Sequence, residues 1–191
     1  MEMNSNEWRQ DKGAKSITFF SVKKPVCVNK NLIECLKSIS EENGNANARL
    51  CLHANPEDTF HDMVILEYQD KKCRRPHKHL EKEETLHMIE GEMISFIFDE
   101  KGNLIEKTLL NNESPIYRTS KNQYHVWLPV TSRVIYREIK QGPFRQEDNI
   151  PPRFDYIKIL TKHVDFMDLR CNNANCKNPC ALSNITKKKK K

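Results

Sequence analysis

Between residues 48 and 141 the sequence is a series of short β-prone runs separated by turn residues, which no helical or α/β architecture would produce. The runs cover residues 48–54, 61–68, two stretches within 86–98 broken at Glu90-Gly91, then 104–110, 116–119, 124–130 and 133–139. Between them lie Asn55-Pro56-Glu57-Asp58, Asp99-Glu100-Lys101-Gly102-Asn103 and Asn111-Asn112-Glu113-Ser114-Pro115, all turn chemistry. Many short strands at near-regular spacing predict an antiparallel sandwich or barrel. No longer repeat of propeller or solenoid type is visible. Ahead of the series, residues 1–15 read as loose, and residues 17–22 as a β-run that adds to a sheet edge. Leu32, Ile33, Leu36 and Ile39 recur at helical spacing, so a helix near 30–42 is expected on the barrel exterior. Asn29 or Asn31 caps it, and Gly44 ends it.

The chemistry gathers at Arg75-Pro76-His77-Lys78-His79, followed by Glu84 and Gly91. Alternation along one strand puts the rings of His77 and His79 on the same face. A short turn through residues 80–83 brings Glu84 back toward them. His125, heading the apolar run Val126-Trp127-Leu128, is a fourth candidate from a strand crossing the same space. Imidazole with carboxylate suits Fe(II), Mn, Ni, Cu or Zn better than Ca or Mg. The plain alternative is a solvated, lysine-rich turn. His87, three residues beyond Glu84, has the opposite parity and should point away.

The spacing of His77, His79, Glu84 and Gly91 resembles the first cupin motif without insertion or deletion, and His125 falls where the second motif has its histidine. With Glu90-Gly91-Glu92, residues 98–102 and Gly142-Pro143-Phe144, the stretch from about Arg49 to Pro152 is similar to the WbuC-type cupin-fold metalloproteins. Ser120, Asn122 and Pro129 depart from the second motif, and Asn122 can supply the left-handed backbone a glycine would give. The resemblance implies an all-β cupin double-stranded β-helix, a jelly-roll barrel, over residues 47–152. Residues 1–46 form an N-terminal extension carrying the helix, and 153–191 an irregular cysteine-containing tail. It implies one divalent transition metal (Fe, Mn, Zn or Ni) held by His77, His79, Glu84 and His125. It also implies a small metalloenzyme acting on a sugar or sugar-nucleotide intermediate in surface-polysaccharide synthesis, and a homodimer. An Fe(II) dioxygenase and a non-enzymatic metal- or sugar-binding cupin remain alternatives. Arg49, His53 and Arg118 are candidate substrate contacts, and Glu138 a candidate base or supporting partner of the metal ligands. For all four the alternative is a satisfied polar place on the barrel rim.

The ends and the composition bound the rest. Residues 154–160 read as one more strand. Beyond them Cys171, Cys176 and Cys180 stand at C-x4-C-x3-C, either reduced thiols or a second zinc or iron–sulfur centre. Such a centre needs a fourth ligand from His163, Cys73 or another chain. The net charge is +6, yet Lys187 to Lys191 supply five of those charges, so the body is nearly neutral. A nucleic-acid-binding body would show a basic face or stripe with interleaved aromatics, and none is visible in the sequence. No apolar run is long enough to span a bilayer, and the first residues hold no secretory h-region. Seven cysteines, an odd count, do not suggest a disulfide framework, so a cytoplasmic protein is expected.

Overall fold

The computed structural model describes residues 3–69 and 74–163. Among the described residues ten strands form two sheets: β1 (Trp8–Asp11), β2 (Ile17–Ser21), β3 (Ala48–Cys51), β4 (Phe60–Tyr68), β5 (Glu84–Glu90), β6 (Met93–Phe98), β7 (Leu104–Leu110), β8 (Ile116–Thr119), β9 (Tyr124–Pro129) and β10 (Arg133–Gln141). The larger sheet runs β1-β2-β3-β4-β10-β5-β8 and the smaller β7-β6-β9. All pairings are antiparallel except β2 with β3. His77 bridges His125 in antiparallel sense, which extends the smaller sheet past β9 by a strand fragment. The central order β4-β10-β5-β8 then faces fragment-β9-β6-β7, the strand order of a jelly roll.

Each sheet has an inner face toward the barrel and an outer face under a helix. Leu86, Met88, Val134, Tyr136, Met63, Ile65, Met93 and Trp127 fill the space between the sheets. Helix α1 (Lys30–Glu42) lays Leu36, Leu32, Ile33 and Ile39 over the outer residues Leu50, Val64, Leu66 and Ile135. Full burial of a side chain such as Leu36 is worth about 1.5–3 kcal/mol. Of the two capping candidates Asn29 serves, its side chain accepting from Leu32 N–H at 3.0 Å.

Two expectations are corrected. Residues 154–160 do not extend the sheet; Tyr156–His163 forms helix α2, because Ile159 and Leu160 pack on Phe96, Phe98, Val126 and Leu128 across the smaller sheet's outer face. The first residues are not loose throughout: β1 pairs with β2 around a buried Trp8. Covering both sheets also explains why every residue of β6 and β9 is buried, leaving no polar alternation in either. Cys73, Cys171, Cys176, Cys180 and the terminal lysines lie outside the described residues.

Candidate metal centre

Three chain segments meet at one end of the barrel. His77 and His79 precede β5, Glu84 is its first residue, and His125 is the second residue of β9. His77 N–H donates to the His125 carbonyl at 3.1 Å and His125 N–H to that of His77 at 2.9 Å, a bridge that locks the two histidines side by side. The turn before β9 is closed by Asn122, whose φ of 59° is the left-handed conformation expected of it; its N–H donates to the His79 carbonyl. Ring centroids lie 5.0 Å apart for His77 and His79, 4.6 Å for His77 and His125, and 5.7 Å for His79 and His125. One ligand atom from each of His77, His79, Glu84 and His125 lies within 4.8 Å of all the others.

The hydrogen bonds behind the rings set their tautomers. Nδ1 of His77, His79 and His125 faces the carbonyls of Arg75 (3.3 Å), Asp148 (3.0 Å) and Gln123 (2.9 Å). A carbonyl only accepts, so each Nδ1 carries a proton, and a ring with no second proton turns its Nε2 lone pair inward. There, Nε2 of His79 lies 3.2 Å from Glu84 Oε1 and Nε2 of His125 lies 3.0 Å from Oε2. Lone pair facing lone pair is repulsive unless a cation, a proton or a metal ion, lies between. Bonds of about 2.1 Å at right angles put neighbouring ligand atoms about 3.0 Å apart, close to these separations. The donor set therefore fits a divalent transition metal. Burial, with His125 beside it, pushes the His77 imidazole down to about 4, so that ring is neutral and free to ligate at neutral pH.

Glu84 is almost fully buried, and its carboxyl nonetheless stays well below the usual range. Burial opposes that, and the Lys140 ammonium is the largest of the effects that lower it. Lys140 Nζ lies 2.9 Å from Glu84 Oε1 and 2.6 Å from Glu138 Oε1. Sequence reasoning did not single out Lys140, although it shares strand parity with Glu138.

The other candidates are distributed around this centre. Glu138 is buried on the inner face, opposite Leu86. Arg49 lies on the inner side of β3, its guanidinium donating to Ser16 Oγ at 3.0 and 2.8 Å. His53 is buried, stacked on His61 at 4.1 Å, with Nδ1 accepting from Asp62 N–H. It borders a hollow of about 350 Å³ that Lys24, Thr59 and Phe60 also line. Arg118 is not brought to the centre. Glu84 pairs with Thr119, so Arg118, opposite Thr85, turns to the outer face and pairs with Glu83. His87 is exposed and points away, as its parity predicts. His61 also belongs to this region, and only its register opposite Lys140 reveals it.

Comparison with known proteins adds three findings. A family model described as a domain of unknown function, DUF6016, matches residues 28–110, less than half of the chain. No curated protein matches. Among solved structures, the capsular polysaccharide assembling protein CapF from Staphylococcus aureus is 10% identical over 57% of this chain and 30% of its own, with a TM-score of 0.46. The TDP-quinovose 3,4-ketoisomerase WlaRB from Campylobacter jejuni is 21% identical over 51% of this chain and 72% of its own, with a TM-score of 0.39. The L-ribose isomerase from Cellulomonas parahominis is 15% identical over 49% of this chain and 58% of its own, with a TM-score of 0.38. The chain thus spans under a third of the CapF chain's length.

Proposed function

We propose that this is a metal-dependent cupin protein of the WbuC-like kind, with one divalent transition ion bound by His77, His79, Glu84 and His125. The observation that carries the reading is the pair of imidazole–carboxylate contacts whose lone pairs face each other at 3.0 and 3.2 Å. When bound, the ion supplies Lewis acidity for an oxygen of a small polar ligand. The ligand class we favour is a sugar or sugar nucleotide, and the reaction an isomerisation, epimerisation or hydrolysis in surface-polysaccharide synthesis. Glu138, whose Oε1 pairs with Lys140, is the carboxylate we assign to proton transfer, through its other oxygen. His53, beside the hollow, and Arg49 are the side chains we assign to ligand contact; Arg118, on the outer face, is dropped from that role. The thiols of Cys27 and Cys51 are free, in keeping with the cytoplasmic location we favour, and a homodimer is the assembly we expect.

The test is elemental analysis of protein purified without an affinity tag, wild type beside His77→Ala. One equivalent of a transition metal, lost with the histidine, is the expected result. Wild-type protein that takes up no transition metal, even when it is supplied in the growth medium, would overturn the proposal.

A further inference from the structure

One row of residues crosses the inner face of the larger sheet. His61 on β4 pairs with Lys140 on β10, Lys140 with Glu84 on β5, and Glu84 with Thr119 on β8. A lysine in the middle of such a row is unusual, because an ammonium drawn largely out of water costs heavily unless it is paired, and the Lys140 side chain is only 16% exposed. Here it has two partners, Glu84 Oε1 and Glu138 Oε1, at 2.9 and 2.6 Å. The first partner is a metal ligand, which makes the lysine part of how that ligand is presented.

We propose that Lys140 is a positioning residue of the metal centre: it holds Glu84 Oε1 so that Glu84 meets the ion through Oε2 alone, and it keeps Glu138 from becoming a fifth ligand. The inference rests on the metal reading above and adds to it which oxygen binds. Each oxygen faces one imidazole, Oε2 that of His125 at 3.0 Å and Oε1 that of His79 at 3.2 Å, but Oε1 alone also accepts from Lys140. Glu138 stands opposite Leu86, one step diagonally from Glu84 on the same face, close enough to swing toward the ion were it free. Two carboxylates on a divalent ion would cancel its charge. With Glu138 neutralised by Lys140, one positive charge remains to draw an anionic or readily deprotonated oxygen ligand. Lys140 in this way sets both the open coordination and the class of ligand that fills it.

Cobalt(II) reports the difference, since its visible bands weaken several-fold as coordination number rises. Wild type, Lys140→Arg and Lys140→Met are each loaded with Co²⁺ and compared by absorption. Wild type and the arginine variant should share one spectrum, and the methionine variant should show shifted, weaker bands as Glu84 Oε1 or Glu138 joins the ion. A methionine variant whose spectrum superimposes on wild type overturns the inference while leaving the metal centre standing. Wild type that binds no cobalt overturns the metal reading itself. Should the methionine variant fail to fold, a crystal structure of zinc-loaded wild type decides. Glu84 Oε1 on Lys140 and off the zinc supports the proposal, and both Glu84 oxygens on the zinc refutes it.

Discussion

An ion at this centre should be visible in the stability of the whole fold. The ligands come from residues 77–84 and from His125, 41 positions beyond Glu84, so an ion held by all four fastens β5 to β9. The unfolded chain offers no such cage, and binding free energy therefore adds to folding free energy. At a free-ion concentration one hundred times the dissociation constant, the gain is about 2.7 kcal/mol. For a chain of this length each kcal/mol moves Tm by about 2–4 °C, which places the expected rise at about 5–11 °C. Deleting one ligand by His125→Ala and losing about 100-fold in affinity leaves a gain of about 0.4 kcal/mol, or roughly 1 °C. The His125 ring also stacks on Trp127 at 5.0 Å, so the variant begins from a lower metal-free Tm and must be compared with its own baseline. Scanning calorimetry of chelator-treated protein with and without Mn²⁺ makes the comparison, manganese being chosen because thiolates compete poorly for it. A wild-type Tm indifferent to the ion refutes the reasoning, as does an equal rise in the variant.

Two further outcomes follow from the backbone and from buried histidines. Gly91 has φ +84°, and a Cβ there would sit 2.6 Å from both the Arg133 carbonyl and Thr131 Oγ1. Gly91→Ala should thus cost the left-handed penalty of about 1–2 kcal/mol plus a backbone clash. Gly44→Ala, at φ +70° with open space around it, should cost that penalty alone, and urea midpoints that rank the two the other way would contradict the packing. Burial holds His53 and His61 below the ordinary imidazole value, and His77 is pushed the same way. The unfolded rings protonate near pH 6.5, before the folded ones, so stability is whole above about pH 6.5 and falls as the pH drops below it. Metal-free protein should show lower urea midpoints at pH 5.5 than at pH 7.5, and a flat profile would contradict the burial of these rings.

What the sequence discloses here divides by range. The strand series, the helix near 30–42 and the quartet His77, His79, Glu84 and His125 rest on local patterns of alternation, capping and spacing, and the fold retains them. The strand expected at 154–160 and the loose N-terminus rest on local patterns too, and there tertiary packing decides otherwise. Tyr156, Ile159 and Leu160 suit either a strand or one face of a short helix, and only the uncovered outer face of the smaller sheet selects the helix. Trp8 carries the three polar residues Arg9, Gln10 and Asp11 into β1 because it has a place beside Phe19 and Leu50. Arg118 shows the limit most sharply. Its residue type suits an anion-binding wall, but the direction of a side chain on β8 depends on which residue faces Glu84, and that register is long-range. The same register turns Thr119 inward and sends Arg118 out to Glu83. Lys140 is a second case: once Glu138 is placed inward, alternation puts Lys140 on the inner face, but only the pairing of β10 with β5 sets it beside the metal ligand. Ligands spaced by a motif are therefore readable before the fold is known, whereas the charges that tune them become readable only when neighbouring strands have been set in register.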